Sequence, residues 1–391
     1  MRFILPKRSP RDNLFLRASS VVIAPSHHHH HHHRALRSGS HKNNHCSSYY
    51  SSPLLNRVVS RRISFSSGPV ANNFATAATA TATNCLSSRR LVHRQSTMSF
   101  RPLVHGLYHA DTSTVTYIIS DPASLDTIIL DSVMDYDSAS GCSSDEHNEL
   151  VVAYCEEHKL NVRYILESHV HADHLTGAQY LKSKYPDAKT GIGANVTTVQ
   201  QTFAKIFNYS PQQLATDGSQ FDLLFQDGDT FLLGDHPVSV IHTPGHTPAC
   251  VCYVAGDAVF TGDTIFMPDF GTARCDFPGG SSAELYASVK KLYDTLPEET
   301  RVYVGHDYQP GGRDILFQTS IAEEKTQNIQ LKGDTSGEEF SVWRSERDGK
   351  LGMPKLILPG LQVNLRNGAW PEPEENGVVY LKVPVNVLGK K

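Results

Sequence analysis

The stretch ESHVHADHLTG, residues 167–177, carries four side chains that bind metal ions well within six positions. These side chains belong to His169, His171, Asp173 and His174. Imidazole nitrogens and carboxylate oxygens are the usual protein ligands of zinc and of non-haem iron. The stretch therefore predicts a metal site, and it raises the question of whether that site holds one metal or two.

Further candidate ligands occur later in the chain, each just after a predicted strand. They are His246 in HTPGHTPAC (residues 242–250), Asp263 in VFTGDTIF (residues 259–266) and His306 in VYVGHDY (residues 302–308). Loops that follow strands can direct several side chains at one point because the sheet beneath them is rigid. A single loop histidine is most often a surface residue, and we interpret His242 in that way. Taken together, the array predicts a metal centre rather than a structural cluster.

Charge divides the chain into two parts. Residues 1–100 contain fourteen lysines and arginines and a single acidic residue, Asp12, whereas the remainder contains 22 basic and 39 acidic residues. Such asymmetry separates a tail from a folded body, which we place at about residues 98–391. The acidic body argues against nucleic acid as a partner, because binding to phosphates needs a basic surface. No apolar run is long enough to predict a membrane helix.

The tail, residues 1–97, is rich in serine, arginine, alanine and threonine and is expected to be disordered. An arginine-rich, acid-poor segment is typical of an organelle transit peptide. Arg61, followed by Ile63 and Ser66, predicts cleavage within about residues 62–72 and import into the mitochondrial matrix. The alternatives are plastid import, an uncleaved tail, and a cytosolic form that starts at Met98. The histidine tract at residues 27–33 is interpreted as a low-complexity segment that is not part of the predicted metal site.

The body alternates predicted strands and helices, which indicates an α/β fold. TVTYIIS (residues 114–120) and DTIILD (residues 126–131) are predicted to be adjacent strands, and RVYVGHD (residues 301–307) is predicted to be the last one. The predicted helices are EHNELVVAYCEEHKL (residues 146–160), LTGAQYLKSKY (175–185), SSAELYASVKKLYDTL (281–296), QTSIAEEKTQNIQL (318–331) and GEEFSVWRSERDGKL (337–351). A proline-rich segment follows. Seven cysteines without CxxC pairs indicate a reduced compartment, and Cys250 and Cys252 are expected to be buried.

The series HxHxDH, PGHT, FTGD and GHDY resembles the ligand series of the metallo-β-lactamase fold over about residues 103–310. The resemblance implies an αββα sandwich with the metal site at one edge of its two sheets. Residues 311–391 are then expected to be a C-terminal extension of the same catalytic domain.

Within this fold, three segments are similar to the persulfide dioxygenases of mitochondria and bacteria, the ethylmalonic encephalopathy type. They are GTARCDFPGG (residues 271–280), GHDYQPGG (305–312) and AEEKTQN (322–328). Cys275 replaces the threonine of animal members and is closer to the bacterial branch. The resemblance implies oxidation of glutathione persulfide by O2 to sulfite and glutathione, in hydrogen sulfide catabolism. No nicotinamide or flavin is needed, because the sulfur supplies the electrons.

The same resemblance assigns roles to individual residues. It implies one Fe(II) per chain, held by His169, His246 and Asp263, a set that leaves positions open for oxygen and substrate. Arg274 would bind a glutathione carboxylate, although a structural pair with Asp276 is the alternative, and Tyr308 would donate a hydrogen bond. The groups expected to orient the ligands and organise water are His171, Asp173, His174 and His306. The resemblance implies a homodimer. A separate sulfurtransferase is the expected partner in the pathway, since residues 311–391 contain no cysteine.

The hydroxyacylglutathione hydrolases, or glyoxalase II enzymes, have the same ligand series and remain the alternative. In a binuclear site of that kind, with zinc possible, one metal would be held by His169, His171 and His246. The second would be held by Asp173, His174 and His306, with Asp263 as the bridge. All seven ligands are present, so the ligand inventory leaves both reactions open. The pattern of Arg274, Asp276 and Phe277 favours the dioxygenase, and the complete ligand set argues against a metal-free binding protein.

Overall fold

The structure is a computed structural model that describes residues 100–389. The predictions for the tail therefore lie outside the described residues: its disorder, its cleavage site and the histidine tract at residues 27–33. Within the described part of the chain, no helix is both long enough and apolar enough to cross a membrane.

Two six-stranded sheets and one small sheet form the centre of the described region. The strands are β1 (Leu103–His109), β2 (Thr114–Ser120), β3 (Asp126–Leu130), β4 (Val133–Asp137), β5 (Cys142–Ser144), β6 (Asn161–Leu166), β7 (Leu175–Thr176), β8 (Lys189–Gly193), β9 (Leu223–Phe225), β10 (Thr230–Leu233), β11 (His236–His242), β12 (Val251–Ala255), β13 (Ala258–Phe260), β14 (Arg301–Tyr303) and β15 (Gln318–Ser320). The first sheet has the order β1-β2-β3-β6-β8-β9, the second β10-β11-β12-β13-β14-β15, and the small one β5-β4-β7.

Helices cover the outer face of each large sheet. They are α1 (Glu146–Glu157), α2 (Ala178–Lys184), α3 (Val196–Ile206), α4 (Ser282–Thr295), α5 (Ile321–Gln327), α6 (Gly337–Asp348) and α7 (Ile357–Asn364). On the first sheet, α1 and α2 bury Val151 and Leu181 against Ile118 and Ile129. On the second sheet, α4 buries Leu285 in a cluster that also contains residues of β13 and β14.

The alternation of side chains along the strands explains this layering. In β2, Ile118 points to the helices, whereas its neighbours Tyr117 and Ile119 belong to the cluster between the two sheets. Tyr253 and Phe260 of the second sheet meet them there. A strand buried on both faces reads as a nearly continuous apolar run, as TVTYIIS does. The fold is therefore the αββα metallo-β-lactamase sandwich that the motif series implied.

Most of the predicted elements are confirmed, including the antiparallel pair β2–β3 and the serine cap of α4, where Ser281 Oγ accepts a hydrogen bond from the Glu284 amide. Several predictions are wrong. The helix predicted at 175–185 begins only at Ala178, because residues 175–176 form β7, which pairs with β4. The strand at 301–303 is not the last one, because a further strand, β15, follows it in the chain and pairs with it. Residues 318–320, which were predicted to begin a helix, form this strand. The proline-rich segment contains α7, whose Pro359 the sequence pattern could not distinguish from a loop proline. The pattern also missed α3 altogether.

The predicted ligand loops all begin where a strand ends. The HVHADH segment follows β6, His246 follows β11, Asp263 follows β13 and His306 follows β14. β6 lies in the first sheet and the other three strands lie in the second. The loops meet across the edge of the sandwich, where the Val251 amide donates a hydrogen bond to the Ser168 carbonyl (2.9 Å).

Candidate metal centre

The two-histidine, one-carboxylate set predicted from the sequence is assembled in the structure. The ligand atoms of His169, His246 and Asp263 lie within 4.8 Å of one another. Asp263 Oδ2 is 3.9 Å from His169 Nε2 and 3.6 Å from His246 Nε2. All three residues are buried, so the set lies beneath the surface that the loops form at this edge of the sandwich.

Two glycines of the motifs allow these loops to approach one another. Gly245 has φ +144°, and a Cβ there would lie 2.4 Å from the backbone of Leu285 in α4. Gly262 has φ +46°, and a Cβ there would lie 2.3 Å from Ser168 Oγ. A larger residue at either position would displace the neighbouring ligand, which is why PGH and TGD contain glycine.

Hydrogen bonds fix the rings of both histidine ligands. His246 Nδ1 lies 2.7 Å from the carbonyl oxygen of Arg274, which can only accept, so Nδ1 carries the proton. His169 Nδ1 lies 3.0 Å from Ser168 Oγ. Each ring therefore has its Nδ1 bound to the protein and its Nε2 directed at Asp263. This is the arrangement by which proteins orient metal-binding histidines.

A second group of ligand types lies beside the first. His171, Asp173 and His174 have ligand atoms within 4.8 Å of one another. His306 connects the two groups, since its Nε2 lies 3.3 Å from Asp173 Oδ2 and 3.2 Å from Asp263 Oδ1. All seven residues named from the sequence thus meet at one place.

The charges of this region favour a cation. Burial lowers the pKa of His169 well below its usual value, and the neighbouring His171 adds to this, so its ring is neutral and can donate a lone pair. Burial alone would raise the pKa of Asp263, but His306, His169 and His246 together hold it below its usual range. Burial likewise opposes protonation of His306, yet Asp263 and Asp173 raise its pKa to about 9. A metal ion would replace that proton as the partner of the two carboxylates.

The structure adds residues around His171 that the sequence pattern missed. His171 Nε2 lies 3.1 Å from Asp131 Oδ1 and 3.2 Å from Glu167 Oε2. Burial lowers the pKa of His171, but these two carboxylates outweigh that effect and raise it well above its usual value. Asp131 directly follows β3 and Glu167 directly follows β6, so a search for acids at strand ends could have identified both.

Unpaired buried nitrogens test whether the residues fit a metal. His169 Nε2, His171 Nδ1 and His174 Nε2 are buried and have no hydrogen-bond partner among residues 100–389. A buried polar atom without a partner costs about 1–3 kcal/mol, and native proteins contain few of them. Three such nitrogens, in ligand groups that also contain Asp263 and Asp173, fit a metal-binding site.

The metal centre opens into a cavity of about 420 Å³. His246, Asp263, Asp173 and Tyr308 line it, as do four cationic residues: Arg274, Arg344, Arg347 and Lys355. Tyr308 is 42% exposed, so it is not a core residue, and its hydroxyl has no hydrogen-bond partner in the described part of the chain. Its ring stacks on His306, with centroids 5.6 Å apart.

Arg274 lies in this cavity but is already paired. Its Nε and Nη2 donate to the two carboxylate oxygens of Asp276 (2.6 and 2.9 Å), and its Nη1 donates to the Gly352 carbonyl (2.7 Å). The structural pair considered from the sequence is therefore present, and one N–H on each of Nη1 and Nη2 remains for a ligand. Arg347 and Lys355, which the sequence pattern did not single out, also line the cavity, and neither forms an ion pair within the described residues.

Other sequence interpretations agree with the structure, with one correction. His242 lies outside both ligand groups, as expected, but it is the half-buried last residue of β11 rather than a surface residue of a loop, and its Nε2 lies 2.9 Å from the Phe225 carbonyl oxygen. Cys250 and Cys252 are buried at 2% and 0% exposure. Burial raises the pKa of Cys250 to about 12, so its thiol stays protonated and is not a ligand.

Comparisons with known proteins agree with this geometry. Residues 114–306 match the metallo-beta-lactamase superfamily. "Glyoxylase B2" of Dictyostelium discoideum is 47% identical over 74% of this chain and 99% of its own length. "Persulfide dioxygenase ETHE1, mitochondrial" of Bos taurus is 30% identical over 74% of this chain and 97% of its own. The crystal structure of ETHE1 from Myxococcus xanthus, at 30% identity, superposes with a TM-score of 0.54 over 68% of this chain and all of that one. The chain belongs to the metallo-beta-lactamase superfamily.

Proposed function

We propose that this protein is an iron-dependent persulfide dioxygenase that converts glutathione persulfide and O2 to sulfite and glutathione. The observation that carries the proposal is the separate grouping of His169, His246 and Asp263, while His171 groups with Asp173 and His174. Two histidines and one carboxylate are the ligand set of mononuclear non-haem iron oxygenases, and they leave coordination positions open.

Ferrous iron in this set would supply neighbouring positions for dioxygen and for the persulfide sulfur. The outer sulfur is oxidised by four electrons as it takes up both atoms of O2 and one oxygen of water; the S–S bond breaks and a proton is released. The residues of the chain hold the two reactants together, which lowers the entropic part of the barrier.

The cations of the cavity support glutathione as the carrier of the persulfide, because glutathione has two carboxylates. Arg274 is the first candidate for binding one of them, through the N–H groups that Asp276 and Gly352 leave free. Arg347 lies over the rings of Phe270 and Trp343, and Lys355 is exposed at the rim. Charge-assisted hydrogen bonds from such groups orient a carboxylate ligand.

The remaining site residues would act around the iron. The free hydroxyl of Tyr308 can donate a hydrogen bond to substrate in the cavity. His306, between the carboxylates of Asp173 and Asp263, would hold the ligand Asp263 in position and bind water. His171 and His174 would stay without a metal of their own.

We also infer that the protein works in the mitochondrial matrix. The arginine-rich, acid-poor composition of residues 1–97 supports this, and the Bos taurus relative is named as mitochondrial. A separate sulfurtransferase would act in the same pathway, and a homodimer is the expected assembly. The whole of residues 98–391 would form the catalytic domain, with 311–391 as its extension.

A thioester hydrolase with a binuclear site is the second candidate. Two observations favour it: the second ligand group is complete, and the relative with 47% identity is named "Glyoxylase B2". A bridging hydroxide between two metals is the nucleophile expected of such a site. The same residues could therefore serve either reaction, and the number of metals decides between them.

The experiment is a direct comparison of the two reactions. Protein spanning residues 98–391, purified without oxygen, is supplied with glutathione persulfide or with S-lactoylglutathione. We expect oxygen consumption with sulfite formation in the first case and barely any thioester hydrolysis in the second. Fast hydrolysis without oxygen uptake would make the hydrolase the correct assignment.

A further inference from the structure

A second, narrow cavity lies beside the main cavity, next to His246. It has a volume of about 10 Å³, and it shares the residues Ala172, His246 and Phe277 with the main cavity. The rings of Phe277 and His246 form a T-shaped pair, with centroids 5.2 Å apart and planes at 88°. The narrow cavity thus ends against the ring of a predicted metal ligand.

Apolar side chains form almost the whole wall of the narrow cavity. They are Val170, Ala172, Val199, Phe203, Pro248, Phe277, Pro278 and Leu361. Val199 and Phe203 come from α3 and Leu361 comes from α7, the two helices that the sequence pattern did not predict. Most of these residues belong to one buried hydrophobic cluster, so their positions are fixed by packing.

The few polar groups at this wall are already engaged. Thr247 Oγ1 lies 3.2 Å from Cys250 Sγ and accepts a hydrogen bond from the Ala249 amide (3.3 Å). His246 Nδ1 is bound to the Arg274 carbonyl. A buried water needs two to four polar partners, and this wall offers it almost none. The cavity therefore favours a small apolar molecule over water.

The narrow cavity also has an outer end. Pro278 is exposed and Pro248 is half-buried, whereas Val170, Val199 and Leu361 are buried at 2%, 4% and 2% exposure. The lining thus runs from the surface at the prolines to the His246 ring. A volume of about 10 Å³ corresponds to roughly one small molecule. A charged glutathione derivative cannot enter it.

We propose that this narrow cavity is the entry path and waiting site for dioxygen. The inference rests on the proposed dioxygenase function. Dioxygen is small and apolar, so it partitions into a dry apolar passage, while the anionic persulfide enters through the cation-lined main cavity. Separate routes let oxygen reach the centre when bound substrate fills the main cavity. Val199 lines the passage on the packed helix α3, so a change in the size of its side chain changes the space available there.

The kinetic test changes the width of the passage in both directions. Val199→Leu adds one methylene and should raise the KM for O2 by about threefold or more, with the KM for glutathione persulfide unchanged. Val199→Ala should not raise the KM for O2. The matched control is Val238→Leu, which overpacks a fully buried valine between the sheets that lines neither cavity. This control should leave both KM values unchanged.

A second measurement is independent of turnover. Crystals of the wild-type protein pressurised with krypton, a small apolar probe, should show a krypton atom between Val199 and the His246 ring, and Val199→Leu crystals should not. No krypton in the wild type, or an equal KM for O2 in all variants, would overturn the proposal. If krypton binds but the wild type consumes no oxygen, the dioxygenase function itself is wrong, and the passage has no oxygen to deliver.

Discussion

At the scale of single residues, His169 and His246 differ from the other histidines of the centre. Each has its Nδ1 bound to a neighbouring group and its Nε2 directed at Asp263. His171 instead commits its Nε2 to Asp131 and lies beside Glu167. Its Nδ1 has no hydrogen-bond partner among the described residues, but the ligand atoms of His171 group with those of Asp173 and His174 rather than with Asp263.

We therefore predict one metal per chain. His169→Ala, His246→Ala and Asp263→Ala should each abolish iron binding, because each removes a direct ligand of a three-ligand set. Asp173→Ala and His306→Ala should keep most of the iron and lower the rate, since these residues only orient ligands. The measurement is iron per chain after anaerobic purification.

The matched control for these variants is His242→Ala, which removes a nearby histidine whose Nε2 is bound to the Phe225 carbonyl. It should retain full iron content. Two tightly held metals in the wild type, or complete metal loss from His306→Ala, would establish a binuclear site instead.

Arg274 provides a second prediction at this scale. A charge-assisted contact to substrate contributes about 1.5–3 kcal/mol, so Arg274→Ala should lower kcat/KM about tenfold or more while iron stays bound. Arg301→Ala is the control, because Arg301 is also 14% exposed in its side chain and paired with an aspartate, Asp257, but does not line the cavity. If iron is lost from Arg274→Ala, or both variants behave alike, the pair with Asp276 is only structural.

At the scale of elements, α7 supports the first ligand loop. Asn364 in its last turn donates from Nδ2 to the carbonyl oxygens of His171 (2.9 Å) and His174 (2.8 Å). Its Oδ1 accepts from the Thr176 amide (2.9 Å). One buried side chain thus satisfies three backbone groups of the loop.

Asn364→Ala should therefore destabilise the protein by about 2 kcal/mol or more, because it leaves buried backbone groups without partners. Denaturant unfolding measures this change, and the iron content should fall with it, since the loop carries His169. Asn161→Ala, which removes an exposed side-chain hydrogen bond to Asp126, should have little effect. Equal stability of the two variants would refute this role of α7.

The elements also show where sequence patterns succeed. Strands such as β2 and β12 have apolar runs with turn residues at both ends, so local sequence predicts them. α3 has threonines and valines at helical positions, which local propensity does not favour, and its stability comes from burying Val199 and Phe203. α7 contains a proline and a glycine, and packing against the ligand loop fixes it.

At the scale of the whole molecule, the targeting prediction concerns residues that the structure does not describe. Residues 1–97 fused to a fluorescent protein should direct it to mitochondria, because an arginine-rich, acid-poor segment is the composition that the import machinery recognises. Residues 98–391 fused to the same protein should stay in the cytosol. A diffuse signal from the first fusion would contradict the matrix assignment, and a plastid signal would support the alternative.

The sequence by itself predicted an α/β fold and the seven candidate ligand side chains, because ligand spacing and strand patterns are local properties of the chain. The αββα sandwich was implied by the resemblance of that ligand series to the metallo-β-lactamase fold. Only the tertiary structure decided which atoms meet. It brings Asp131 and Glu167 to His171, pairs Arg274 with Asp276, and places Arg347 and Lys355 at the cavity. It also encloses the apolar passage between α3 and α7 behind His246. These contacts join residues far apart in the chain, and their geometry follows from the packing of whole elements, which no local pattern records.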